Sequence, residues 1–306
     1  FITKAYALDI VFAEDRPDLR TLDPRITQSR HEEMLIVNIF DQLIAADSAG
    51  NHYPGLAKSW DISSDGLEYT FQLRNDVSFH DGTKFNAAAV KATFDSIVDP
   101  ETGSQGAVDI LGPYKETVVV DDYTAKVVFE RRYGSALTAF TETELSIVSP
   151  TALSNLGNDG FGMAPVGTGP FMFKNWEANK KVELVRNPDY NWAPEYMDGS
   201  GPSQVANLTY RLIKDTSTRV AALEAGEIDI AELVPPLDMN RFDSSGDLAT
   251  IAGTVSGLPY AAFLNTTVGV FQDINVRKAF FHSLDRVKMT SDLFFGYAEA
   301  AFGPIS

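Results

Sequence analysis

Leu208–Glu232 reads LTYRLIKDTSTRVAALEAGEIDIAE, and its changing periodicity decides what kind of fold the chain has. Leu208, Tyr210 and Leu212 alternate with Thr209 and Arg211, the period of two required by a strand with unlike faces. Asp215 then stands where it can cap a helix start. Val220, Ala222 and Leu223 form an apolar stripe, and Gly226 occupies the place of a left-handed residue closing the helix. Ile228 and Ile230, flanked by Asp229 and Ala231, open a second strand almost at once. A short capped helix between two such strands predicts a βαβ unit with parallel strands and a right-handed crossover.

In open α/β sheets, ligands collect just beyond the carboxyl ends of the strands, which here means residues 232–236. Glu232 has the parity of Ile228 and Ile230, so a carboxylate replaces an apolar side chain at the strand exit. Two readings stand: a solvated strand end, or a carboxylate facing a cleft.

A chain of 306 residues exceeds the usual size of a single core, so two or more domains are expected. With 44% hydrophobic residues and 20 Phe it can fill sizeable cores. No apolar run approaches 18 residues and the mean hydropathy is −0.11, so no membrane-spanning helix is expected. The net charge of −17 repels phosphate backbones and makes nucleic acid an unsuitable partner. The absence of Cys removes disulfides, thiol nucleophiles and thiolate metal sites, and suits an oxidising compartment. FITKAYALDIV followed by AEDRPDLR lacks the basic start and small-residue cleavage site of a signal peptide, so a cytoplasmic chain or a mature one is expected. AEAAFGPIS at the other end carries no cap or closing helix, and more chain is expected beyond it.

Working outward from the βαβ unit, Leu8–Ala13 is apolar enough for a buried strand and 18–24 is a turn-rich loop. Ile36, Ile39, Phe40 and Leu43 recur at helical spacing, predicting a helix over about Glu32–Ala46 that Asp47–Asn51 ends. Ser63-Ser64-Asp65-Gly66 is a hairpin turn into the alternating strand Tyr69–Arg74. Asn86 can cap a helix carrying Val90, Phe94 and Ile97, and Thr117–Val120 and Lys126–Glu130 form a further hairpin about Asp121-Asp122. Residues 41–163 therefore read as a small α+β insert. Val255–Pro259 is a flexible linker and Tyr260–Asn265 an extended apolar strand, a pattern of passage from one lobe to another. Asp273 can cap a helix that packs Val276, Ala279, Phe280 and Leu284 on a core.

These segments carry a family resemblance. Leu56-Ala57-Lys58-Ser59-Trp60, Tyr69–Arg74, Val77–Thr83 with Phe85-Asn86-Ala87, Val166–Phe171, Arg186-Asn187-Pro188-Asp189-Tyr190, Ala225–Asp229 and Asn275–Ala279 together resemble the family 5 extracellular solute-binding proteins of ABC transporters, of oligopeptide, dipeptide and nickel-binding type. The resemblance implies an α/β, two-lobed periplasmic-binding-protein fold with an extra small α+β domain inserted in the first lobe and an incomplete C-terminal lobe. Lobe I would comprise 1–40 and 164–257, the insert 41–163, and the start of lobe II 258–306. It implies a periplasmic or extracellular receptor, lipid-anchored in some precursors, that closes by hinge motion over a peptide-like solute, an opine, a sugar or a metal chelate and delivers it to a membrane ABC permease. A monomer without cofactor is expected.

By the same resemblance Thr27, Gln28, Ser29 and Arg30, after the TLDP run Thr21-Leu22-Asp23-Pro24, approach the ligand, as do Glu232 at the strand exit and the wall of Tyr260 and Phe263. Backbone groups of 28–30 can hold a peptide as an added strand. Arg30 can pair with a ligand carboxylate or stand as an exposed arginine at the helix start. Glu232 can receive a cationic group. Tyr260 and Phe263 present aromatic surface, or belong to a buried strand.

Other chemistries find little footing. Gly167-Thr168-Gly169 lacks the third glycine of a phosphate loop and Pro170 removes a donor, so these glycines are expected to let the backbone approach another segment closely. His31, His52, His80 and His282 show no ligand spacing, so no metal site is expected. The pairs Glu32-Glu33, Asp121-Asp122 and Glu142-Glu144 are the chance pairs that 42 acidic residues produce, and no GxSxG, SxxK or HExxH occurs. The expectation is a binding protein and not an enzyme; the alternative is a secreted hydrolase using a carboxylate pair. A receptor that signals through a membrane partner is a further alternative.

Overall fold

The computed structural model describes the chain apart from residues 1–7, 16–18, 198, 200, 247, 252, 254–260 and 304–306, and apart from the side chain of Ser245. It divides into two compact units, Phe1–Asp215 with Ala222–Ala231, and Thr216–Ala221 with Glu232–Ser306.

The first unit begins with β1 (Leu8–Glu14) and α1 (Arg30–Ile39). A hairpin of β2 (Ile44–Ala46) and β3 (His52–Pro54) follows, then β4 (Ala57–Ile62), β5 (Glu68–Leu73) and α2 (Ala87–Val98). The short α3 (Gly106–Leu111) precedes β6 (Tyr114–Asp121) and β7 (Thr124–Phe129). α4 (Ala136–Ala139) and α5 (Pro150–Met163) lead to β8 (Phe171–Glu177), β9 (Lys181–Arg186) and β10 (Val205–Leu212). α6 (Thr216–Glu224) and β11 (Ile230–Ala231) complete the βαβ unit.

The five-stranded sheet has the order β11-β1-β10-β9-β8. β1 pairs in parallel with both β10 and β11, so the two strands of the βαβ unit are parallel as predicted, with β1 inserted between them. α6 closes as Gly226 predicts: its φ is +70°, its N–H donates to Leu223 O (3.0 Å), and the Glu227 N–H donates to Ala222 O (2.9 Å). One sheet face buries Tyr210, Val182, Leu184 and Phe171 against Leu35, Ile36 and Ile39 of α1. On the other, Ala13 packs with Ala222 and Ile228. Ile230, expected to share the burial of Ile228, is 46% exposed because it lies on a two-residue strand at the sheet edge.

A second core lies within the same unit. β4-β5-β7-β6 form an antiparallel sheet on which α2 packs. The Asn86 side chain caps α2 by accepting the Ala89 N–H at 3.1 Å, and Val90, Phe94 and Ile97 are fully buried, each contributing about 2 kcal/mol. Gly66 (φ +71°) turns the β4–β5 hairpin where the sequence places it. This core draws on residues from Leu43 to Trp192.

Three expectations differ from the structure. The helix predicted over Glu32–Ala46 ends at Ile39, because Phe40 is extended and the chain passes from one core to the other; Leu43 continues the apolar rhythm, but it packs in the second core. Ala261–Asn265, the described part of the predicted strand, has no strand pairing. The helix capped by Asp273, α8 in the sequence α7 (Pro236–Ser245), α8 (Ile274–His282) and α9 (Arg286–Phe294), forms with its predicted cap but buries no residue: Val276 and Ala279 are exposed, and Phe280 and Leu284 are half-buried.

Candidate functional site

The loop from Leu19 to Ser29 is held from below by buried charge. Asp23 and Arg25, both fully buried, form a bidentate pair, Nη2 to Oδ2 at 2.6 Å and Nε to Oδ1 at 3.0 Å. The same guanidinium donates to Ser96 Oγ (3.0 Å) and Asn158 Oδ1 (3.1 Å) and lies 5.7 Å from the Phe161 ring centre. Glu32, in the first turn of α1, reaches back to the loop: Oε1 accepts the Arg20 N–H at 2.7 Å and Oε2 accepts the Thr27 hydroxyl at 2.6 Å. The loop thus arrives at α1 with little freedom.

At its end Thr27 is fully buried and committed to Glu32, so its side chain positions the loop and does not face outward. Gln28 is exposed and its Nε2 donates to Gln105 Oε1 at 2.8 Å. Ser29 caps α1, its Oγ accepting the His31 N–H at 3.4 Å. Arg30 is exposed. The surface around it is acidic: burial first, then repulsion from Glu144, pushes Glu33 above the ordinary carboxylate range, and Arg30 draws it back down. Burial and Glu144 raise Glu142 likewise. The sequence reading treats these glutamates as chance pairs; only the fold brings Glu33 of α1 near the 142–144 turn. Glu32 was also missed, although the spacing Ser29-x-x-Glu32 is that of a capping box.

The remaining candidates lie in the second unit. Glu232 follows β11 directly and is half-buried. Phe263 is 90% exposed, not in a strand core. Tyr260 lies outside the described residues. Among the described residues no cluster of His, Asp and Glu has the arrangement of a metal site.

Two other features are structural. Gly167 and Gly169 lie against the end of α1: an added Cβ would stand 2.2 Å from Ile39 O at Gly167 and 2.6 Å from Ile39 C at Gly169, the close approach expected of them. Between them the Thr168 hydroxyl donates to Asp41 Oδ2 (2.8 Å), which also accepts from Trp192 Nε1 (3.0 Å), while Oδ1 accepts from the Tyr190 hydroxyl (3.1 Å). The recess of about 540 Å³ on the face of the sheet opposite α1 is lined by Lys181, Glu183 and Arg211; Lys181 is already paired with Glu177 and Glu183, both at 3.2 Å.

Residues 51–306 match the family described as bacterial extracellular solute-binding proteins, family 5 Middle. The glutathione-binding protein GsiB of Pectobacterium atrosepticum is 30% identical over 285 residues, 93% of this chain and 54% of that protein. The crystal structure of NikZ from Campylobacter jejuni in complex with Ni(L-His) aligns with a TM-score of 0.81 at 25% identity, over 99% of this chain and 58% of that one. DppA from Helicobacter pylori, in complex with peptide STSA, aligns at 0.79 and 27%, over 97% and 60%. The chain spans a little over half the length of the relatives it matches.

Proposed function

The chain belongs to the bacterial extracellular solute-binding proteins, family 5, and from that premise we propose that it binds a small peptide-like solute outside the cytoplasm for delivery to a membrane ABC permease. We assign 1–40 and 164–257 to a first lobe, 41–163 to its insert and 258–306 to the start of a second. The observation that carries the reading is the rim Gln28-Ser29-Arg30, exposed or half-exposed at the head of α1 on a loop fixed by Asp23–Arg25 and Glu32. A rigid loop presenting an arginine beside glutamates offers complementary charges to a zwitterion such as a short peptide, whose carboxylate and amine need opposite partners.

Backbone groups of 28–30, the Arg30 guanidinium, Glu232 and Phe263 are the proposed contacts. Thr27 supports 28–30 from beneath. Metal chelates, opines and sugars are the other solute classes to be tested. The protein works as a monomer, and its net charge of −17 turns nucleic acid away. A lipid anchor on the precursor fits an extracytoplasmic receptor.

The test is thermal unfolding with glutathione, dipeptides, opines and nickel–histidine, each followed by recovery of the solute from denatured protein. A ligand at a hundred times its Kd stabilises by about 2.7 kcal/mol. The proposal expects a raised Tm with one class and an intact solute. No shift with any class, or a chemically altered solute, removes it; the latter favours a hydrolase.

A further inference from the structure

We propose that Arg219 is a positioning residue, which fixes the path of the chain where it leaves β11 and so sets the direction of Glu232; the role assigned to Glu232 rests on the function proposed above. Arg219 lies within α6 and is only 1% exposed, a costly place for a guanidinium unless its donors are used. Its Nε donates to the main-chain carbonyl of Glu232 at 2.8 Å and its Nη2 to that of Leu233 at 3.2 Å. Successive carbonyls of an extended strand point to opposite sides, so one planar fork can take both only where the chain has left the extended conformation. It has: Leu233 has φ +50°, in the left-handed region that a residue with a Cβ rarely adopts.

The turn that ends β11 after two residues is therefore held by a side chain and not chosen by its own sequence. Immediately beyond, Pro235 and Pro236 fix their own φ, with Pro236 in the first turn of α7. The segment 232–236 is thus stiffened at one end by a guanidinium and at the other by pyrrolidine rings. A ligand contact on such a segment is pre-organised, which reduces the ordering that binding must impose. Lysine cannot replace the fork, because a single ammonium lacks the fixed pair of donors that spans two carbonyls.

The experiment is a double-mutant cycle of Arg219→Lys and Leu233→Gly, read by urea unfolding and by calorimetric affinity for reduced glutathione under conditions where every variant is folded. Arg219→Lys is expected to lower the unfolding midpoint and weaken glutathione binding about tenfold. Leu233→Gly, which adopts a positive φ without penalty, is expected to restore part of both losses in the Lys background. Additive effects of the two substitutions on the unfolding midpoint would overturn the clamp. Coupled unfolding with unchanged glutathione affinity would overturn the positioning role. If glutathione binds no variant, wild type included, the functional reading for this solute fails and the positioning role with it, while the unfolding cycle still decides the clamp.

Discussion

Arg25 is buried with its charge and has four partners arranged around it. Arg25→Ala leaves the Asp23 carboxylate buried and without its counter-charge, which costs about 3–5 kcal/mol. Replacing both residues by apolar ones of similar volume, Arg25→Met with Asp23→Leu, should cost much less; urea unfolding of the single and double variants checks this. His80 sets a pH dependence of known sign. Its Nε2 donates to Gly169 O at 2.9 Å, Nδ1 is buried with no partner among the described residues, and burial lowers its pKa to about 4 despite Asp81 beside it. The unfolded chain takes up the proton near 6.5 and the folded one only near 4, so stability is complete above 6.5 and falls as pH drops through that window, by about 3 kcal/mol. His80→Gln, unfolded in urea at pH 7 and pH 4, should lose that much less than the parent. Neither role was legible in the sequence. Nothing in the spacing around Arg25 or His80 signals either role, because it is packing that removes water from both.

Elements whose signals are local were legible. Asn86 and Asp273 cap the helices they were predicted to cap, Gly66 turns its hairpin, and Gly226 closes α6. What failed depends on which core a residue enters. Leu43 keeps helical spacing with Ile39 only by coincidence, since it belongs to the second core. The glycines separate the two kinds of cause. Gly226→Ala meets nothing nearby and should cost about 1 kcal/mol through its positive φ alone. Gly167→Ala drives a methyl into the Ile39 carbonyl of α1 and should cost at least about 1–3 kcal/mol. Thermal melts of the two variants should show the second falling well below the first. Equal losses would mean that the junction between the cores yields easily.

At the scale of the whole molecule, the motifs in their order carried a resemblance to the family, and membership is shown over residues 51–306. Site residues were less legible, because a ligand contact is defined by what surrounds it. Thr27 and Gln28 are neighbours in sequence, yet Glu32 buries one and leaves the other at the surface. Likewise Glu33, beside Arg30, gains its acidic surroundings from Glu142 and Glu144, more than a hundred positions away. The claim on which all of this depends is capture of a solute without reaction. Native mass spectrometry of the 33.5 kDa chain mixed with glutathione and short peptides measures it most directly. The account predicts a complex heavier by the mass of one unaltered solute. A bare chain at every solute concentration, or release of cleaved solute, contradicts it.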